Sequence, residues 1–169
     1  MKNFIITAAL NLEFPFDQDF PVLYTGVGKT NATLNLCDYL NRNTKIETVI
    51  NVGSAGGIGC KLGSIIECGI FIDGQLQYPG YIEEHIVFKS NKSICLTFDN
   101  FITQTPNKIA NCVDMESFSL AKTCQQKGVN FLCFKCISDI IGEENQESKW
   151  IHNYKNGKYL LKEAIQNIL

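Results

Sequence analysis

Arginine is almost missing from this chain. Arg42 is the only one in 169 residues, so lysine carries nearly all the positive charge. A bidentate guanidinium clamp on phosphate is therefore excluded everywhere except beside Arg42. There is no basic excess either: 15 Lys plus Arg stand against 17 Asp plus Glu, a net charge of −2. Affinity for nucleic acid is built on basic patches meeting phosphates, and this balance argues against such a partner. No apolar run approaches the ~20 residues of a membrane span, so no membrane partner is expected. The start, Met1-Lys2-Asn3 and a short apolar run, has no small-residue cleavage site and reads as the approach to a first strand, not a signal peptide. A cytoplasmic location is the expectation. The two histidines, His85 and His152, are isolated, with no ligand partner at helical spacing. Neither metal nor cofactor is expected. No repeat, low-complexity tract or Pro/Ser-rich linker interrupts the chain, which reads as one domain over 1–169.

Against these absences, 45% of the residues are apolar and 11% aromatic, ample for a buried core. Eight cysteines are present: Cys37, Cys60, Cys68, Cys95, Cys112, Cys124, Cys133 and Cys136. Disulfide frameworks belong to small secreted domains with weak cores, so these read as reduced thiols, mostly packed as small hydrophobes. Short apolar runs at 4–9, 22–25, 48–52, 64–72, 94–98 and 129–137 predict strands. Apolar spacing predicts helices over 29–41, with Ala32, Leu36 and Leu40 on one stripe, over 115–127, ended by Gly128, and over 148–169. The segment 11–21 reads as a polar, proline-punctuated loop, and 73–93 has no clear pattern. Strands alternating with helices, several apolar on both faces, imply an α/β fold with a mixed, mostly parallel central sheet flanked by helices. In such sheets ligands sit at the carboxyl ends of strands. Three polar places fall there: the loop after the first strand, the glycine turn beginning at Gly53, and Ser138-Asp139.

Each motif has an ordinary reading to weigh. Gly28-Lys29-Thr30 imitates the end of a phosphate-binding loop, but Leu23 stands where that motif needs glycine, so it reads as a tight strand-to-helix turn. The run Gly53-Ser54-Ala55-Gly56-Gly57-Ile58-Gly59 does not match a dinucleotide fingerprint. Four glycines in seven positions still imply that backbone comes close to a ligand or another segment. Cys133-Phe134-Lys135-Cys136 lies on a predicted strand, where residues three apart face opposite ways, so this pair cannot chelate one ion. Asp114 and Glu116 could be helix-cap acids. Asp139 is different: a carboxyl at the end of a buried strand is driven toward its neutral form, which suits a general acid.

Together and in this order, Thr25-Gly26-Val27-Gly28-Lys29, Asn51-Val52-Gly53-Ser54-Ala55-Gly56-Gly57, Phe101-Ile102, Val113-Asp114-Met115-Glu116 and Ile137-Ser138-Asp139 resemble the nucleoside phosphorylase/nucleosidase superfamily. Within it they look most like the 5′-methylthioadenosine/S-adenosylhomocysteine nucleosidases. The resemblance implies a barrel-like mixed sheet in one domain and cleavage of the bond between ribose and a purine base. It implies catalytic roles for three acids: Asp139 protonating the leaving purine, Glu13 activating the attacking water, and Glu116 holding the ribose hydroxyls. It further implies a substrate-binding set of Ser54, Ala55, Gly56, Phe101, Ile102, Met115, Lys135 and Ser138. The partner is then a small purine nucleoside, and a homodimer is the assembly implied.

The chemistry is coherent by itself. Glycosidic cleavage passes through an oxocarbenium-like state, so a carboxylate near the sugar and an acid near the leaving group both help. Without an arginine before the glycine run, water is favoured over phosphate as nucleophile. A phosphate-dependent purine nucleoside phosphorylase on the same fold is the alternative reading, and a non-catalytic nucleoside-binding relative is the second. The chain departs from the resembled family in three ways: Lys135 replaces an arginine, Asp114 replaces a glutamate, and the chain is shorter, between Glu13 and Gly26 and after Gly69.

Overall fold

A computed structural model describes residues 3–169; Met1 and Lys2, expected to lead into the first strand, lie outside the described residues. Eight strands form one sheet with three α-helices on it. They are β1 (Phe4–Ala8), β2 (Val22–Tyr24), α1 (Lys29–Arg42), β3 (Thr48–Gly57), β4 (Ile65–Asp73), β5 (His85–Val87), β6 (Ser93–Thr97), β7 (Cys112–Asp114), α2 (Ser117–Lys127), β8 (Asn130–Ile140) and α3 (Gln146–Gln166). The strand order is β2-β1-β3-β7-β6-β4-β5, and β8 pairs with both β3 and β4. The pairings β3–β7–β6–β4–β8–β3 therefore close a ring, which removes open edges from the centre of the sheet. Parallel and antiparallel pairings are mixed: β3 runs parallel to β1 and β8 but antiparallel to β7. The expected mixed, mostly parallel, barrel-like α/β sheet is thus the observed one. Among the described residues, no helix is long and apolar enough to cross a membrane.

β3 and β8 are the central pair. Both are buried along nearly their whole length, which is why they read as continuous apolar runs. Their two faces serve different cores. Ile5, Val49, Phe131 and Cys133 pack inside with α1 and α2, while Ile6, Ile50, Leu132 and Cys136 pack outward under α3. Cys133 and Cys136 thus lie in separate cores, in keeping with opposite-facing thiols.

Several expectations about the chain's path need correction. The glycine run is not a turn: Gly53 to Gly57 continue β3 as strand, since the ring requires β3 to bridge β8 and then β7. Ser138 and Asp139 lie within β8 and not after it. The second helix begins at Ser117, leaving Met115 and Glu116 outside its first turn. The loop 11–21 is less polar in place than in sequence. It holds a short 3-10 turn at Asn11–Glu13, and Phe14 is fully buried against Phe16 and Phe20. Within the unreadable segment 73–93 lies β5, a three-residue edge strand too short to leave a periodic signal.

Candidate active site

One cavity of about 180 Å³ opens where β1, β3, β7 and β8 end. Its wall includes Glu13, Ser54, Ala55, Gly56, Phe101, Met115, Glu116 and Asp139, so eight of the eleven sequence-derived candidates meet in one place. Ile102 lines an adjoining recess that shares Gly56, Phe101 and Asp139 with the cavity. Lys135 and Ser138 do not reach the cavity surface. Both side chains are buried behind it, where Lys135 contacts Asp114 and Ser138 contacts Asp139.

A slip in register places Asp139. In the β3–β8 ladder Ala55 faces Ile137, but Gly56 faces Asp139, so Ser138 is the extra residue of a bulge. Bulges re-aim side chains, and this one turns the Asp139 carboxyl toward the cavity. Gly56 leaves the room: a Cβ there would lie 3.1 Å from Asp139 Oδ2 and 2.5 Å from Ile141 Cδ1. The carboxyl is held at both oxygens. Ser138 Oγ donates to Oδ1 at 2.6 Å and Gln146 Nε2 donates to Oδ2 at 2.7 Å. Burial nevertheless pushes Asp139 above the ordinary aspartate range, against those two hydrogen bonds.

Glu13 is brought in by the 3-10 turn after β1. Its Oε1 accepts both the Ser54 amide (3.1 Å) and the Ser54 hydroxyl (2.6 Å). Trp150 on α3 donates its indole N–H to Ser54 Oγ at 2.9 Å, completing a relay from helix to carboxylate. Glu116 hangs at the start of α2, where its Oε1 accepts the Gly28 amide at 2.9 Å. Gly28 holds φ 89°, a conformation costly for residues with a Cβ, and this aims its N–H across the cavity. Gly28-Lys29-Thr30 is thus a strand-to-helix turn that contacts a site acid.

The two acids on the β7–α2 turn titrate in opposite directions. Asp114 accepts from Thr97 Oγ1 (2.7 Å), the Ser117 amide (2.9 Å) and Ser117 Oγ (2.5 Å), and pairs with Lys135 Nζ at 2.8 Å. Burial alone would raise its pKa, but Lys135 and these donors outweigh it and hold Asp114 ionised below the usual range. Glu116 has no cation in contact. Burial, with the Asp114 charge nearby, pushes it up to about 8. At neutral pH the cavity therefore holds a neutral Glu116 beside an ionised Asp114. Lys135 is pushed above the ordinary lysine range: burial opposes its charge, but Asp114 together with the neighbouring thiols and Glu116 outweighs that penalty.

Trp150, Gln146 and Asp114 escaped sequence reasoning as contributors to the cavity or its acids. Trp150 is the only tryptophan in the chain, and Gln146 opens α3, yet neither carries a spacing signal. Their place depends on where α3 docks. Arg42 pairs with Asp38 on exposed α1, so it supplies no cavity residue. His85 pairs with Glu83 at the surface, and His152 is exposed on α3.

Known proteins share this architecture. A family model described as the phosphorylase superfamily matches residues 84–166. The 5′-methylthioadenosine/S-adenosylhomocysteine nucleosidase of Thermotoga maritima is 28% identical over 175 aligned residues, covering 88% of this chain and 78% of that protein. The nucleosidase of the same name from Bacillus anthracis is 28% identical over 165 residues, covering 75% of this chain and 71% of its own length. Among solved structures, a nucleosidase of that name from Colwellia psychrerythraea in complex with adenine superposes with a TM-score of 0.78 at 19% identity, covering 90% of this chain and 88% of that one. A futalosine hydrolase of Helicobacter pylori superposes with a TM-score of 0.82 at 16% identity, covering 99% and 100%. The ordered motifs, the closed sheet and these relatives agree: the chain is similar to the phosphorylase superfamily over residues 84–166, to the nucleosidases in sequence, and shares their fold.

Proposed function

We propose that this protein hydrolyses the N-glycosidic bond of an adenine nucleoside such as 5′-methylthioadenosine or S-adenosylhomocysteine. The observation that carries the reading is the convergence of Glu13, Glu116 and Asp139 on one cavity, with the three carboxyls in three different environments. Asp139, pushed toward its neutral form by burial and oriented by Ser138 and Gln146, donates its proton to a ring nitrogen of the departing purine. Phe101 and the Ile102 backbone lie on that side of the cavity and take the base. Both bonds from Ser54 fall on Oε1 of Glu13, which leaves Oε2 to accept the proton of an attacking water. A neutral Glu116 offers one donor and one acceptor, the match for a pair of sugar hydroxyls, with Met115 beside it. The ionised Asp114 adds negative potential where oxocarbenium charge develops.

Hydrolysis is favoured over phosphorolysis because no arginine lines the cavity and Lys135, the one buried lysine among the described residues, is already paired with Asp114. At about 180 Å³ the cavity is smaller than the ~300–1,000 Å³ of sites that enclose a whole ligand. The 5′ substituent would accordingly extend through its mouth.

The test is base release from a panel of purine nucleosides, with and without phosphate, for wild type and Asp139→Asn. Free adenine without phosphate is expected, and Asp139→Asn should stay folded while losing roughly two to four powers of ten in rate. Release only with phosphate would replace hydrolysis by phosphorolysis. Wild-type turnover in Asp139→Asn would remove the acid assignment, and no release from folded wild type would leave a nucleoside-binding relative.

A further inference from the structure

Three thiols from three strands of the closed ring meet in its interior, behind the cavity and close to Asp114. Cys68 on β4, Cys95 on β6 and Cys112 on β7 are each at most 2% exposed. Their sulfurs all lie within 4.8 Å of one another, and those of Cys68 and Cys112 are 3.6 Å apart. Strand register explains the convergence: Cys95 faces Cys112, and Cys68 faces Cys133 of β8. Cys133 stands outside this trio: its Sγ lies 3.4 Å from Asn51 Oδ1 on β3 and 3.5 Å from Ser117 Oγ.

These distances suit coordination. A metal–sulfur bond of about 2.3 Å sets neighbouring sulfurs at roughly 3.8 Å around a tetrahedral ion and roughly 4.0 Å around a trigonal one. The 3.6 Å pair is already there, and the other separations need to contract by less than about 1 Å, within reach of small side-chain rotations. Thiolate sulfur selects soft, closed-shell cations and discriminates against magnesium or calcium. A complex of three thiolates with either ion carries net negative charge, and Lys135, though ion-paired with Asp114, lies close enough to Cys95 and Cys112 to offset part of it. The Cys133–Cys136 pair cannot chelate one ion. The cluster that can is assembled from residues 27 and 17 positions apart along the chain (Cys68 to Cys95, then to Cys112), a grouping no local spacing reveals.

We propose that Cys68, Cys95 and Cys112 form an interior three-thiolate site for a soft d10 cation, Zn²⁺ or Cu⁺. Each thiol recruited releases one proton to solvent, and no electron is transferred. Because the site is enclosed, the ion enters as the ring closes during folding, so metal affinity adds to stability.

The experiment unfolds the full chain under reducing conditions and refolds it with Zn²⁺, with Cu⁺ held reduced, or with Mg²⁺, then measures bound metal after desalting. About one equivalent of zinc or copper per chain is expected for wild type and for Cys37→Ser, and less than about a tenth for Cys68→Ser and Cys112→Ser; Mg²⁺ should not be retained. Which of the two soft ions is retained identifies the resident. Refolding wild type with Co²⁺ should yield sulfur-to-cobalt charge-transfer absorption, a readout independent of whether the serine variants fold. Wild type holding neither soft ion, or Co²⁺ bound without that absorption, would overturn the proposal and leave the cysteines as apolar packing. Equal metal content in a folded Cys68→Ser protein would overturn it as well.

Discussion

Glu116→Gln tests the electrostatics of the cavity without relying on turnover. In the folded protein, burial and the neighbouring Asp114 charge push Glu116 up to about 8, from an ordinary value of 4.5. A carboxyl whose pKa is raised on folding binds more protons folded than unfolded, so its contribution lowers stability as pH rises from 4.5 towards 8. At about 1.36 kcal/mol per pH unit, keeping Glu116 neutral at pH 7 costs roughly 3 kcal/mol, against roughly 1 kcal/mol at pH 5. Glutamine keeps the acceptor for the Gly28 amide and the volume, but removes the proton uptake. The stability of Glu116→Gln minus that of wild type should therefore climb by about 2 to 3 kcal/mol between pH 5 and pH 7, roughly 5–10 °C in Tm for a chain of this size. Urea unfolding of both proteins at three pH values measures it. Asp139, raised in the same direction, is common to both proteins and cancels in the difference. A difference that stays flat within about 0.5 kcal/mol would show that Glu116 is ionised when folded, and the reasoning from burial would fail.

Two further perturbations probe the supports of the site. Lys135→Met leaves Asp114 as an unpaired buried charge, so unfolding free energy should drop by about 3–5 kcal/mol, and adding Asp114→Asn should recover much of it; denaturant titration of the two variants decides. Trp150→Phe keeps an aromatic ring on α3 but deletes the donor to Ser54 Oγ. Stability should change by no more than about 1 kcal/mol while kcat for base release falls several-fold; an unchanged kcat would mean that Ser54 and Glu13 need no help from α3.

The cavity was partly readable because its acids sit on local signals. Asp139 ends the most apolar run in the chain, Glu116 follows a short strand, and the glycines of β3 announce close approach. Lys135 and Ser138 were legible as residues near the site but misplaced by one layer. A strand pattern shows which face a residue takes only until a bulge intervenes, and the slip between Ala55 and Gly56 is set by pairing with another strand. The ionisation of the acids was beyond the sequence for a related reason. Asp114 and Glu116 are two residues apart, yet one is held ionised and the other neutral, because Lys135 is in ion-pair contact with Asp114 and not with Glu116.

By itself, the sequence determined the α/β class and the position of most strands and helices, because hydrophobic periodicity is a local property, and it marked Asp139 as a carboxyl ending a buried strand. Only the tertiary structure decided that β3 runs straight through its glycines to close the ring, that α3 delivers Trp150 and Gln146 to the acids, and that cysteines from separate strands converge. Those outcomes depend on ring closure and helix docking, which bring together residues separated by tens of positions, and no local pattern encodes such distances.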